Sequence, residues 1–174
     1  MTSAPSRKEP VMVDLHTRLV RRARAALPRL WRAVPGAQWR LMHLTQSTFL
    51  VGVAALLRTA DGQILLVRNA FWPAGQQWGM PTGYLERGES LTQSVTRELH
   101  EEIGGGTVEG LRVLDMSTGY RMRVEVLLEG TVRDLPSRED HESLEVLDHR
   151  LVTMETLPEG LHRGHREKLM TYVA

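Results

Sequence analysis

The stretch from Gly83 to Gly105 constrains this chain most strongly, because it predicts a helix with defined ends. Ser90 suits the N-cap position, and Gln93 three residues later completes the pattern of a capping box. An aliphatic residue then recurs every fourth position and predicts one apolar stripe that packs against a core: Leu91, Val95 and Leu99. Gly104 and Gly105 predict the C-terminal end of the helix.

Three glutamates lie at positions i, i+3 and i+4 of this predicted helix and therefore share one face: Glu98, Glu101 and Glu102. One interpretation is a solvated acidic surface, which is common on helices. The other is a cation site, since neighbouring like charges repel each other unless a positive group lies among them. Oxygen ligands without His or Cys suit a hard cation, Mg²⁺ or Mn²⁺. Arg97, directly before the cluster, can also pair with Glu101 four residues on.

The spacing of this stretch resembles the Nudix box, written G-x5-E-x7-R-E-U-x-E-E-x-G-U, in which U is an aliphatic residue. Seven fixed positions match: Gly83, Glu89, Arg97, Glu98, Glu101, Glu102 and Gly104. At a background of roughly 6–7% per position, such a match arises by chance on the order of once in 10⁹ windows. Leu99 satisfies the first aliphatic position. Gly105 departs from the second, which affects packing after the helix and no ligand.

The resemblance implies an α/β fold, namely the Nudix α/β/α sandwich around a mixed β-sheet, preceded here by an N-terminal helical arm. The residue pattern agrees, because it predicts strands at 48–59, 63–68, 111–117 and 122–132 and a closing helix at 161–173. Residues 60–62 form a hairpin turn signal between the first two strands. Segment 145–158 resembles a family segment in which an acidic residue precedes a short strand and a helix.

The resemblance also implies a divalent-metal site with four ligands: Glu98, Glu101, Glu102 and the carbonyl oxygen of Gly83. Divalent ions neutralise a diphosphate and lower the pKa of bound water. In the family, the positions of Glu98 and Glu102 are the most frequent ligands. The resemblance further implies that Arg97 orients the glutamates, and that Glu89 and Gly104 are structural. Glu101, Glu102 and Arg97 are thereby predicted to be catalytic.

A carboxylate must also accept the proton from the attacking water. The family does not fix the position of this base, and four later acids are candidates: Glu139, Asp140, Glu142 and Glu145. Glu145 best matches the recurring acidic position, whereas Glu142 lies nearer a polar loop predicted at 136–142. Each of them would otherwise be an ordinary surface acid.

Four residues are candidates for substrate binding: Arg68, Phe71, Trp72 and Tyr120. Phe71 and Trp72 follow the second predicted strand, and their rings are suited to stacking on a base. Tyr120 lies one residue short of the position where dinucleoside polyphosphate hydrolases carry a marker tyrosine. His162 and His165 are three residues apart without metal-ligand spacing, so we predict that both are structural or at the surface.

The sequence predicts three segments: a disordered start at 1–10, a basic helical arm at 11–47 and the Nudix domain at 48–174. No acidic residue occurs from Leu15 to Ala60. We expect the arm to dock on the domain or to pair two copies as a homodimer, and contact with nucleic acid or anionic membrane is less favoured. Arginines interrupt every apolar run of the arm, which argues against a signal peptide and favours a cytoplasmic location.

The whole chain of 174 residues carries a net charge of +1 and no cysteine. It therefore has no global field that attracts nucleic acid, and disulfides and thiolate metal sites are excluded. The resemblance implies a metal-dependent pyrophosphohydrolase that cleaves the diphosphate linkage of a nucleoside diphosphate joined to another moiety. Two alternatives stay open: a Nudix-fold ligand-sensing or binding module without catalysis, and an RNA 5′-end pyrophosphohydrolase that uses the basic arm.

Overall fold

The structure is a computed structural model that describes residues 20–22, 36–45, 48–118, 122–137 and 143–173. It divides into two compact units, Met1–Thr48 and Phe49–Ala174. In the first unit, residues 20–22 are helical and helix α1 spans Ala37–Thr45. The predicted disordered start and most of the predicted arm lie outside the described residues. No helix in the described part of the chain is both long and apolar enough to cross a membrane.

The second unit contains the strands and helices that the sequence predicts, with small shifts of their ends. Its strands are β1 Leu50–Arg58, β2 Ile64–Asn69, β3 Trp78–Gly79, β4 Thr82–Tyr84, β5 Thr107–Thr118, β6 Arg123–Arg133 and β7 Val146–Val152. Its helices are α2 Leu91–Ile103, a 3₁₀ turn Met154–Thr156 and α3 Arg163–Tyr172. The helix expected after the strand in segment 145–158 is therefore only this single 3₁₀ turn.

The sheet is mixed, which confirms the predicted fold class. Its main order is β3-β2-β1-β6-β5, while β4 pairs with β1 and β7 pairs with β2. Strands β1 and β6 run parallel, from the pair Leu50–Arg123 to the pair Arg58–Thr131. The other pairings are antiparallel, and in one of them β4 lies along β1.

Each face of the sheet carries its own hydrophobic core, because side chains alternate along β1. On one face Val53 belongs to the core that contains Leu99 of α2. On the other face Ala54 belongs to the core that contains Leu169 of α3. The helices thus cover both faces of the sheet, as an α/β/α sandwich requires.

Helix α2 begins and ends where the sequence predicts. The Ser90 Oγ accepts the Gln93 N–H at 3.3 Å, and the Gln93 Oε1 accepts the Ser90 N–H at 2.8 Å, which completes the capping box. At the other end, the Gly104 N–H donates to the His100 carbonyl at 3.0 Å. Leu99 is fully buried against the sheet. Its burial fixes the rotation of the helix and therefore the positions of Glu98, Glu101 and Glu102 beside it.

Candidate active site

A cavity of about 620 Å³ brings together residues from distant parts of the second unit. Its lining comes from the end of β2 and the following loop, from β4, from α2, from the start of β6 and from the beginning of α3. The acidic residues include Glu98 and Glu101 of α2, the aromatic ones Phe71 and Trp72, and Arg123 is a basic one.

Arg97 lies beside the acidic face and binds three carboxylates: Glu98 and Glu101 of that face, and Glu89 from the turn before α2. Its Nε and Nη2 donate to both oxygens of Glu89 at 2.8 and 3.2 Å, a bidentate pair. Its Nη1 donates to Glu98 Oε1 at 2.9 Å and to Glu101 Oε2 at 3.0 Å. Hydrogen bonding to Glu89 raises the pKa of Arg97 above its ordinary value, and the same bond lowers the pKa of Glu89. Arg97 is therefore a permanent cation that fixes the orientation of these carboxylates.

Glu102 is the buried carboxylate of this face, with 4% of its surface exposed. Neither of its oxygens has a hydrogen-bond partner among the described residues. The Thr82 backbone N–H lies near the carboxylate without forming a well-aligned hydrogen bond. Burial, and then the charges of Glu98 and Glu145, raise the pKa of Glu102 well above its usual range. A buried carboxylate without a partner is costly, and a bound cation would supply the missing partner.

The side chain of Glu98 extends from α2 toward β4, and 15% of it is exposed. The Tyr84 N–H donates to Glu98 Oε1 at 3.2 Å, and a Cβ at Gly83 would overlap the Glu98 carboxylate. Desolvation raises the pKa of Glu98, and its bond to Arg97 offsets part of this rise.

The donors on this face are the type that a hard divalent cation prefers, carboxylate and carbonyl oxygens. The two oxygens of Glu102, which have no partner among the described residues, would be stabilised by a cation. Within the described ranges, no group of three or more His, Asp or Glu side chains is placed to hold a metal ion. Instead, Arg97 pairs with Glu98 and Glu101 in this structure. The oxygen ligands of this face are therefore chemically suited to a divalent ion. In this structure, Arg97 is the cation that pairs with Glu98 and Glu101.

Glu145 lines the cavity directly before β7 and is fixed by Asn69 at the end of β2. The Asn69 side chain, 2% exposed, donates from Nδ2 to Glu145 Oε1 at 2.8 Å and accepts the Phe71 N–H at 2.8 Å. The backbone adds a second link, because the Ala70 N–H donates to the Glu145 carbonyl at 2.7 Å. Asn69 therefore connects the candidate base to the loop that carries the candidate aromatic residues, and sequence reasoning missed it.

An aromatic cluster of Trp72, His162 and His165 forms another part of the lining. The Trp72 ring lies 5.1 Å from the His162 ring and 5.0 Å from the His165 ring, between centroids. His165 Nδ1 accepts the Met80 N–H at 2.9 Å. Burial, followed by nearby positive groups, lowers the pKa of His165 to about 3. His165 is consequently neutral at physiological pH, with its proton on Nε2.

The sequence predicts that His162 and His165 are structural or at the surface. The structure adds that both line the cavity. His162 reaches it because residues 160–162 pair with β3: Trp78 N–H donates to the Gly160 carbonyl at 2.9 Å, and His162 N–H donates to the Trp78 carbonyl at 2.7 Å. This contact joins distant parts of the chain, so spacing alone carries no signal for it. Trp78 itself is buried in the core.

The remaining candidates divide into three groups. Phe71 lines the cavity with 75% of its surface exposed. Arg68 is exposed and is not part of the cavity lining. Its guanidinium donates to Gln77 Oε1 at 3.0 Å. Tyr120 and Glu142 lie outside the described residues, together with Glu139 and Asp140.

Comparison with known proteins agrees with this architecture. The family model of the NUDIX domain matches residues 48–172. A Caenorhabditis elegans protein named "Putative nudix hydrolase 1" is 32% identical over 109 residues, or 60% of this chain. The chain spans only 30% of the length of that relative.

Two solved structures share the fold. A MutT NUDIX hydrolase from Burkholderia pseudomallei has a TM-score of 0.59 at 22% identity, with 72% of this chain and 99% of that chain covered. An ADP-ribose pyrophosphatase from Streptococcus suis has a TM-score of 0.55 at 21% identity, with 68% and 84% covered. The family match spans every strand and helix of the second unit, and this chain therefore belongs to the NUDIX family.

Proposed function

We propose that this protein is a divalent-metal-dependent pyrophosphohydrolase, which cleaves the diphosphate linkage of a nucleoside diphosphate joined to another moiety. One observation carries the proposal: Glu102 is a buried carboxylate whose oxygens have no partner among the described residues, on the helix face of Glu98 and Glu101. The latter two line a cavity of about 620 Å³, within the usual size of a small-molecule site. A helix face of this kind is suited to holding a cation against an anionic substrate.

Four groups would hold the divalent ion, Mg²⁺ or Mn²⁺: Glu98, Glu101, Glu102 and the carbonyl oxygen of Gly83. Such an ion supplies charge neutralisation for the diphosphate and lowers the pKa of bound water. Arg97 contributes by orientation, since it holds Glu98 and Glu101 while Glu89 holds Arg97.

Glu145 is our proposed general base. Its Oε1 is engaged by Asn69 at 2.8 Å, which leaves Oε2 to accept a proton from the attacking water. Its charge also reaches Glu102 and contributes to the raised pKa of that carboxyl, so the two groups are neighbours. Glu142 stays the second candidate for this role.

The aromatic cluster with Phe71 is our proposed contact for the nucleobase. Flat rings stack on any base, and Trp72 lies in the cavity beside Phe71. His165 adds a hydrogen-bond donor, because its Nδ1 is engaged by Met80 and its Nε2 carries the ring proton. A base with a ring nitrogen or carbonyl acceptor would satisfy this donor.

A hydrolysis panel tests the proposal. Nucleoside diphosphate sugars, dinucleoside polyphosphates, nucleoside triphosphates and 5′-triphosphorylated RNA should be incubated with Mg²⁺ or Mn²⁺, and the released phosphates quantified. We expect turnover of at least one small nucleotide and none after chelation. Tight binding of a nucleotide without turnover would favour a ligand-binding module, and turnover of RNA alone would favour RNA 5′-end processing. A cytoplasmic location stays a prediction.

A further inference from the structure

Arg123, the first residue of β6, brings a positive charge into the cavity. Its guanidinium lies 5.1 Å from the centroid of the Tyr84 ring, and Nη1 donates to the Tyr84 hydroxyl at 3.2 Å. Nη2 pairs with Glu125 Oε1 at 3.2 Å. The Nε donor is buried against Gly52 of β1 and has no hydrogen-bond partner within the described part of the chain. The Arg123 side chain is nevertheless 33% exposed and lines the cavity, so a ligand in the cavity can reach its guanidinium.

The charges around Arg123 do not balance. Lys168 Nζ lies 3.4 Å from Glu125 Oε2, so two cations share a single carboxylate. His165, also in the cavity, is kept neutral by burial and by His162, with smaller effects of Lys168 and Arg123. The local group thus carries one excess positive charge, which suits an anionic ligand.

Gly52 of β1 makes room for the guanidinium. A Cβ at this position would lie 2.8 Å from Arg123 Nη2 and 2.9 Å from Nε. Both atoms belong to the mobile end of a long side chain. An added methyl group would therefore displace the guanidinium while the strand stays in place, which provides a way to move Arg123 without removing it.

We propose that Arg123 binds a phosphate group of the substrate and thereby orients the diphosphate toward the carboxylates of α2. This inference rests on the proposed function, because it assumes a diphosphate in this cavity. A guanidinium offers planar, paired N–H donors that match phosphate oxygens, and the exposed part of the Arg123 side chain lies at the cavity. Tyr84, at the end of β4, contacts both residues. Its hydroxyl accepts from Arg123, and its backbone N–H donates to Glu98.

The test is calorimetric binding of α,β-methylene-ADP, whose bridging carbon blocks hydrolysis, with Mg²⁺ present and absent. Arg123→Gln should weaken binding about tenfold or more, the usual loss for a charged hydrogen bond. Adenosine, which has no phosphate, should bind to wild type and variant alike. Arg123→Lys keeps the charge but lacks the planar, paired N–H donors of a guanidinium, so it should recover part of the affinity.

Two further variants separate binding from a structural role. Gly52→Ala should also weaken binding of α,β-methylene-ADP, while its melting temperature stays within a few degrees of wild type. Arg133→Gln is the matched control, because Arg133 lies at the other end of the same strand with 62% of its side chain exposed. Its affinity should equal that of wild type.

Unchanged affinity for α,β-methylene-ADP in both Arg123→Gln and Gly52→Ala would overturn the inference. A parallel loss of adenosine binding would also overturn it, since Arg123 would then only support Tyr84. The proposed function can fail separately: a wild-type protein that binds the analogue and hydrolyses no nucleotide would refute hydrolysis while the Arg123 test still gives its answer.

Discussion

Gly83 and Glu98 are in direct contact, and the contact leaves no room for a side chain at residue 83. A Cβ built on Gly83 would overlap the carboxylate of Glu98. Gly83 is fixed by its pairing opposite Val53 of β1, and Glu98 is fixed by Arg97 and the Tyr84 N–H. The position of the proposed metal ligand therefore depends on the absence of a side chain on the neighbouring strand.

The Gly83→Ala substitution should displace the Glu98 carboxylate and lower kcat by about 10²-fold, the scale expected for a catalytic group moved by about 1 Å. Stability should fall little, because the displaced atoms end a flexible side chain. Gly160→Ala is the control, since a Cβ there would meet neighbours only at 3.5 Å or more. Steady-state kinetics and a melting curve decide, and wild-type kcat in Gly83→Ala would contradict the proposed role of this contact.

The Asn69→Asp substitution should lower kcat. The new carboxylate keeps the acceptor for the Phe71 N–H but replaces the donor to Glu145 by a like charge, which should push the Glu145 carboxylate out of its present position. We expect a loss of about tenfold at neutral pH. The readout is kcat at neutral pH, and a value equal to wild type would show that Asn69 does not position a base.

His165 should make stability rise with pH. Its pKa is about 3 in the folded protein and 6.5 as the ordinary value, so between these values the unfolded chain binds the additional proton. More protons on the unfolded state mean that stability increases as pH rises through this window and is lost as pH falls.

His165→Asn should flatten this dependence, because Asn retains an acceptor for the Met80 N–H and does not titrate. The measurement is the free energy of unfolding in urea from pH 4 to 7 for wild type and variant. Their difference should change by a few kcal/mol over this range. A constant difference for His165→Asn would contradict a buried neutral ring.

The sequence predicted α2 well because its determinants are local. The capping box of Ser90 and Gln93, the buried Leu99 and the link from Arg97 to Glu101 depend on spacing within one helix and its N-cap. Contacts within a few residues are set by helix geometry, so the pattern alone indicates them.

The rest of the cavity depends on pairings between distant segments, which spacing does not show. Arg123 reaches it because β6 runs parallel to β1, and His162 because the chain before α3 pairs with Trp78. One signal was present and missed: Arg123 and Glu125 alternate with apolar residues in a strand whose later positions are buried. Charges at alternate positions of a core strand indicate that its first part faces a site.

Removal of residues 1–45 should leave hydrolysis intact, because every described residue of the cavity lies in the second unit. The described part of the first unit has exposed apolar residues, among them Leu44 with 85% of its surface exposed. We therefore expect a changed oligomeric state or a lower melting temperature, measured by light scattering and thermal unfolding. If both are unchanged and only liposome or RNA binding is lost, the arm is an anion-binding tether.

Turnover of the Glu102→Gln protein, measured with Mg²⁺ or Mn²⁺ on the best substrate of the panel, tests the central claim most directly. Glutamine keeps the size of the side chain and removes the buried charge, so the metal-free protein should be as stable as wild type or slightly more stable. Turnover should fall by several orders of magnitude, because the proposed metal ligand is lost. Turnover equal to wild type, in a variant with an unchanged fold, would contradict the assignment of the α2 carboxylates as the metal site.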